Sequence, residues 1–248
     1  MRIDRRINYK LVLDVESCPM DKDYDGKEIE KNALVYDIGW AVVDKRGTVY
    51  RSRSFVVKEI FFDEAYLMRS AYYADKLPQY HEDIKHGRRV VAKWATIKMR
   101  MLEDIETFGI KEVYAYNMRF DNTSTKLTQR WLTKSKYKTF IPSNMEICDI
   151  MKMARDVIAP MPTYKAFCEE HGFLTKHGRP NLKAETVYRF IINDPNFVES
   201  HTGLEDVMIE KEILAYCYKQ HKAMRRLLFD TPFTTPYIDP FAWVRPVL

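Results

Sequence analysis

Apolar residues come in short unbroken runs over the first quarter of the chain and at helical spacing over most of the rest. Residues 8–16 (NYKLVLDVE) read as a strand, and the polar stretch 17–32 (SCPMDKDYDGKEIEKN) as a loop. Residues 33–43 (ALVYDIGWAVV) are apolar and β-rich, which predicts a second strand. Asp44 to Gly47 (DKRG) is a turn signal. The alternation in TVYRSRSFVV then predicts a third strand, antiparallel to the second. The chain is thus expected to open with a three-stranded meander.

Helical spacing takes over after that. Residues 59–76 and 91–108 carry apolar positions three and four apart, and Gly109 stands where a helix stop belongs. EVYAYN (112–117) predicts a strand, 121–134 a helix, and 139–150 a short strand around MEICDI. Helices are expected at about 163–171 and 182–192, and a long one from near Thr202 to about Leu228. Strands followed by alternating helices and strands specify an α/β layered domain with a mixed sheet. No internal repeat or low-complexity linker divides the chain, so residues 1–228 read as one domain. The tail 229–248 has four prolines and five aromatics, which excludes helix there. It is expected to pack on its own domain or on a neighbouring subunit, as in a homodimer.

With 46% apolar and 30% charged residues, the 248-residue chain has the composition of a globular domain rather than a disordered one. No apolar run is long enough to span a bilayer. The basic N-terminus, MRIDRRINYK, leads into an acid-bearing strand and not a signal-peptide core, so a cytoplasmic setting is expected. Cys18, Cys148, Cys168 and Cys217 show neither CxxC nor paired spacing and read as free thiols. The net charge of +5 is compatible with a polyanionic partner without identifying one.

The chemistry begins with LVLDVESCP, residues 11–19. Positions i and i+2 of a strand share a face, so Asp14 and Glu16 project together, roughly 7 Å apart along the backbone. Like charges so close repel, and their burial needs a cation or donors; a hard divalent ion takes oxygen ligands and suits them. Alone, D-x-E is equally the solvated end of a strand. VYAYNMRFDN (113–122) delivers Asn117 and Asp121 at the C-terminal rim of a sheet, where α/β sites lie, although Asp121 could simply cap the following helix. In HTGLEDVMIEKE (201–212), Thr202 and Glu205 have capping-box spacing. That starts a helix at Thr202, holds Asp206 in its first turn and leaves His201 in the loop before it, a pattern a plain surface helix would share.

Taken in order, D-x-E, N-x-x-F-D and H-x-x-x-x-D resemble the DEDDh family of 3′–5′ exonucleases, the proofreading-exonuclease type of the ribonuclease H-like fold. YDIGWAVVD fits as the second strand, and the resemblance runs from residue 11 to about 215. The sister subclass carries Tyr four residues before the last Asp, where this chain has Thr202. The resemblance implies a ribonuclease H-like mixed sheet, a three-stranded antiparallel meander plus parallel strands, flanked by helices. It implies two divalent metal ions, Mg²⁺ or Mn²⁺, clamping an in-line attack on the terminal phosphodiester. Asp14 would bridge both ions, Glu16 and Asp206 would bind the nucleophile-side ion, and Asp121 would hold the other. His201 would take the proton from the attacking water. The product would be a 5′-mononucleotide released from the 3′ end of DNA, single strands preferred.

After Glu16 the chain reads Ser-Cys-Pro where the family often has Thr-Thr or Thr-Gly, so Ser17 is the hydroxyl left to touch a terminal nucleotide. Asn117 and Phe120 are further substrate-binding candidates, though Phe120, Tyr116 and Met118 are equally core candidates. KHGRRVVAK (85–93) and KHGRPNLK (176–183) are the densest basic clusters, fit to track a phosphate backbone or to be solvated loops. An RNA-trimming, oligoribonuclease-like enzyme and a non-catalytic nucleic-acid-binding module of the same fold are the alternatives. A compact, Lys- and Tyr-rich chain without a polymerase domain reads as a stand-alone bacteriophage enzyme, with replication or recombination proteins as expected partners.

Overall fold

The apolar run that opens the chain becomes a strand at the middle of a sheet, buried on both faces. In the computed structural model, which describes residues 3–19, 33–71, 73–134 and 138–229, β1 spans Lys10–Pro19. It pairs antiparallel with β2 (Ala33–Val43), which pairs antiparallel with β3 (Val49–Val57). β4 (Val90–Ala92) lies parallel to β3 at one edge. β5 (Glu112–Ala115) and β6 (Glu146–Asp149) extend the other side in parallel, giving the order β4-β3-β2-β1-β5-β6.

Helices cover both faces. They are α1 (Leu77–Lys85), α2 (Trp94–Phe108), α3 (Met118–Leu132), α4 (Ile150–Val157), α5 (Pro162–Glu170), α6 (Ala184–Ile192) and α7 (Gly203–Lys219). Strand alternation divides the core in two. Leu11, Leu13 and Val15 of β1 and Ile38, Trp40 and Val42 of β2 pack with Trp94, Ile97 and Met101 of α2. Val12, Ala41 and Val43 pack on the other face with residues of α4 to α7. Asp14 and Glu16 share the parity of Val12, so both belong to the α7 face.

Several sequence expectations change. The helix expected at 59–76 is a π-helical turn, Glu59–Asp63, followed by 3₁₀ turns at Ala65–Ser70 and Ala74–Lys76. Its buried pairs, Ile60 with Phe61 and Leu67 with Met68, are consecutive in sequence, and no straight α-helix buries such pairs on one narrow stripe. The helix expected from residue 91 begins at Trp94, because Val90–Ala92 forms the edge strand. α4 was not expected, although Ile150, Met153, Ala154 and Val157 make a complete buried stripe and Asp149 caps it, accepting the Met151 N–H at 2.9 Å.

The final helix stops at Lys219 instead of running to Leu228. Beyond it the chain returns along the outer edge of β6. There Asp149 N–H donates to Arg226 O at 2.7 Å and Leu228 N–H to Ile147 O at 2.8 Å, which satisfies an open sheet edge. The tail from residue 230, and its expected packing on the domain or a second subunit, lie outside the described residues. Among the described residues no helix is long and apolar enough to cross a membrane. The four cysteines are buried free thiols.

Candidate active site

Two features of the meander place the paired acids. Asp14 and Glu16 stand on the α7 face of β1, opposite Gly39 and Asp37 of β2. Directly after Glu16 the register slips, Glu16 facing Asp37 but Ser17 facing Val35, so Tyr36 is the extra residue of a β-bulge. Bulges bend and twist a strand and re-aim its side chains, and they recur beside active sites.

The third acid arrives on α7. Its N-terminus presses on β2 at Gly39, where an added Cβ would stand 2.4 Å from Leu204 N and 2.6 Å from Gly203 C. Gly203 is tight in return, since a Cβ there would meet Gly39 N at 2.9 Å. Asp37 secures the contact by accepting the Gly203 N–H at 3.0 Å. Asp37 itself is wholly buried, held by Tyr80 Oη at 2.7 Å and Arg89 Nη1 at 3.0 Å. The capping box expected from Thr202 and Glu205 does not form: the two side chains hydrogen-bond each other, and Glu205 turns to Arg89 Nη2 at 2.9 Å. The helix is capped from β2 instead, and this delivers Asp206 to β1.

Ligand oxygens of Asp14, Glu16 and Asp206 lie within 4.8 Å of one another. Asp121 reaches the same place from the first turn of α3, beside Asp14. α3 begins abruptly because Asn117 adopts a left-handed conformation (φ 63°), which Asn tolerates better than most residues, and its N–H donates to Asp149 Oδ1 at 3.2 Å. The four predicted acids therefore converge, three as a tight group and Asp121 against its flank.

Burial first, and repulsion from neighbouring carboxylates second, hold Asp14, Glu16, Asp121 and Asp206 well above the usual carboxylate range; for Asp14 those neighbours are Glu199 and Asp37, and for Glu16, Asp121 and Asp206 the foremost is Asp14. Glu210, one helical turn beyond Asp206, is pushed up by burial and by Asp14, Asp121 and Asp206. Among the described residues, the buried oxygens Asp14 Oδ2, Asp121 Oδ1, Asp206 Oδ1 and Glu210 Oε2 have no hydrogen-bond partner. Buried acceptors in such a group need either protons or a cation. A cluster of hard oxygen donors suits Mg²⁺ or Mn²⁺, so these residues fit the divalent ions the sequence implied.

The acids line a cleft of about 810 Å³ at the C-terminal ends of β1 and β5. His201 lines it too, in a left-handed conformation (φ 55°) with its side chain about 31% exposed. Its ring lies flat on Tyr73, centroids 4.2 Å apart and planes 8° apart. Glu199 Oε2 stands 3.8 Å from His201 Nδ1. Burial holds the imidazole below its ordinary value, so it is neutral at neutral pH and able to accept a proton. Burial, reinforced by Glu185, raises Glu199 to about 7.

The other sequence candidates separate. Ser17, Asn117 and Phe120 all line the cleft, Phe120 being about 40% exposed, whereas Met118 is core. Of the basic clusters, KHGRRVVAK is split between surface and interior, with Lys85 and Lys93 exposed. Its Arg89 is buried against Asp37, Asp83 and Glu205, and Arg88 pairs with Asp83 at 2.7 Å. In KHGRPNLK, Lys183 reaches the cleft wall and Lys176 and Arg179 are exposed on the preceding turn. Glu199, Glu210 and Tyr73 were not anticipated. Glu210 was legible as an acid on Asp206's own helical face, while nothing local marks Tyr73.

No family model and no curated protein matches the sequence. Solved structures do match by fold. A 3′-exonuclease recognising the 3′ end of histone mRNA stem-loop aligns with 88% of this chain and 85% of its own, at 8% identity and a TM-score of 0.57. The nuclease domain of 3′hExo, a DEDDh family member bound to rAMP, aligns over 90% of this chain and 98% of its own, at 10% identity and a TM-score of 0.54. Exonuclease I from Methylocaldum szegediense aligns over 86% of this chain but 41% of its own, at 14% identity and a TM-score of 0.51. At such identities the likeness is one of fold: a mixed six-stranded sheet flanked by helices, as in the ribonuclease H-like exonucleases.

Proposed function

We propose that the chain is a divalent-metal-dependent 3′–5′ exonuclease acting on single-stranded 3′ ends. The observation that carries this reading is the convergence of Asp14, Glu16 and Asp206 within 4.8 Å, with buried unpartnered oxygens and Asp121 alongside, in a fold shared with DEDDh nucleases. Asp14, Glu16, Asp206 and Asp121 would hold two Mg²⁺ or Mn²⁺ ions. When bound, such ions supply charge stabilisation at a phosphodiester and an activated water.

The residues themselves supply the rest. His201 accepts the proton of the attacking water, helped by an environment that keeps it neutral. Tyr73 fixes the plane of that ring. Phe120, exposed on the cleft wall, offers a stacking face to the terminal base, and Ser17 and Asn117 offer polar contacts to its sugar and phosphate. The leaving group is a 3′-hydroxyl and the product a 5′-mononucleotide.

DNA is the polymer expected from the sequence. RNA is the second reading, favoured by the histone mRNA stem-loop and the rAMP bound by the two neighbours. A cytoplasmic setting goes with either. The test is incubation of the purified protein with matched 5′-labelled single-stranded DNA and RNA, with Mn²⁺, Mg²⁺ or EDTA, beside Asp14→Ala. A metal-dependent ladder shortening from the 3′ end, absent in the variant, is the expected result. No cleavage of either polymer would leave a nucleic-acid-binding module of this fold.

A further inference from the structure

The end of the sheet opposite the acids carries a second cleft of different chemistry. It is about 1030 Å³ and lies between the start of β1, the turn joining β2 to β3 and the segment following α7. A neighbouring cleft of about 690 Å³ continues it past the end of α7, and the two share Lys45, Arg46 and Tyr218. Together they form one groove.

Its charge is one-sided once pairs are removed. Asp4 is taken by Arg6, Glu112 by Lys10 and Arg226, and Glu212 by Lys211. Asp44 accepts the Arg46 and Thr48 backbone N–H groups at 2.8 and 3.1 Å and the Tyr50 hydroxyl at 3.3 Å. Lys45, Arg46, Lys219 and Lys222 line the groove, are exposed and have no anionic partner among the described residues. The dipole of α7 accounts for Lys219 at its C-terminus but not for the other three. Half-buried rings of Tyr50, Tyr216 and Tyr218 stand among these cations. Cations that track phosphates, interleaved with aromatic faces, are what single-stranded nucleic acid binds without sequence preference.

We propose that this groove is a second binding site for the phosphodiester backbone of single-stranded nucleic acid, which holds a long strand while its 3′ end occupies the acidic cleft. The tethering role rests on the exonuclease reading, whereas the binding itself does not. Asp206 and Lys219 lie at opposite ends of α7, roughly 20 Å apart at about 1.5 Å per residue. At about 3.4 Å per stacked nucleotide that distance is roughly six nucleotides, more over a curved surface. A tetranucleotide cannot reach both sites and a 30-mer can.

The experiment compares the wild type with Lys45→Ala/Arg46→Ala/Lys219→Ala/Lys222→Ala, both checked for an unchanged melting temperature. Anisotropy of a labelled single-stranded 30-mer is read in EDTA across a salt series, so that hydrolysis plays no part. The variant is expected to bind at least tenfold more weakly, with a log–log salt slope shallower by roughly 2 to 3. With metal, KM for the 30-mer should rise while kcat/KM for a tetranucleotide stays unchanged. Equal binding of the 30-mer by both proteins overturns the proposal. So does the same loss against anionic vesicles or polyglutamate without one against the 30-mer. If neither protein hydrolyses any strand but the anisotropy difference stands, the groove is retained and the exonuclease reading falls.

Discussion

The carboxylate of Asp37, on the second strand, accepts the backbone N–H of Gly203, at the start of the last helix, at 3.0 Å. This bond, with the bare Cα positions of Gly39 and Gly203 beside it, joins the opening meander to the helix that carries Asp206. The tolerance of the joint is small, because the atoms facing Gly39 are backbone and cannot rotate away.

Gly39→Ala is therefore expected to destabilise the protein by about 3 kcal/mol, at the upper end of overpacking costs. It should also weaken metal binding, because α7 must shift and take Asp206 with it. Urea unfolding with and without Mn²⁺ checks both. A midpoint within error of wild type would show that the helix is held some other way. Asp37→Ala, which leaves Arg89 with Asp83 and Glu205, should cost about 3 kcal/mol through the broken buried pair.

The acids set a pH dependence. In the metal-free folded state Asp14, Glu16 and Asp206 keep their protons above the ordinary carboxylate range, whereas in the unfolded chain they titrate near about pH 4. The folded protein then binds more protons than the unfolded one above that pH. The stability linked to these groups is full below it and is lost as pH rises through the folded values. The melting temperature in EDTA should fall from about pH 5 to about pH 9, and Mn²⁺ should reduce the fall by replacing the protons. A flat profile in EDTA would contradict the repulsion inferred for the cluster.

Removing one acid separates stability from function. Asp14→Ala removes a buried acid whose Oδ2 has no hydrogen-bond partner among the described residues, so the variant should melt at or above wild type in EDTA, by about 3 °C for each kcal/mol gained. It should lose the Mn²⁺-induced rise and all metal-dependent hydrolysis. Full activity in this variant would remove Asp14 from the site.

His201 and Tyr73 should behave as a base and its support. His201→Ala is expected to lower the rate by roughly 10²–10⁴, the usual contribution of a general base, with the metal-induced thermal shift intact. Tyr73→Leu keeps the imidazole but removes the stacked face that helps bury it, so a smaller loss in kcat is expected, with the acid limb of the pH profile moved up toward the free imidazole. Equal rates for Tyr73→Leu and wild type would reduce the stack to packing.

The sequence by itself determined the meander, the strands β5 and β6, and the order in which five candidate site residues occur. Period-two and period-3.6 patterns are local, and Asp14 and Glu16 share a face whatever surrounds them. The same local reading failed where a segment answers to several surfaces at once. Residues 59–76 bury consecutive apolar pairs and carry Tyr73 to His201, so no single helical stripe describes them. The run after Lys219 follows the edge of β6, whose open hydrogen bonds are invisible in its own residues. Thr202 and Glu205 have capping-box spacing, yet a carboxylate 166 positions earlier caps the helix and Arg89 draws Glu205 away. Spacing along a chain specifies which side chains can meet on one element. Whether acids from three elements meet at one place, and whether four cations find an anionic partner among the described residues at the far end of the sheet, depends on packing between distant segments, which only the folded structure decides.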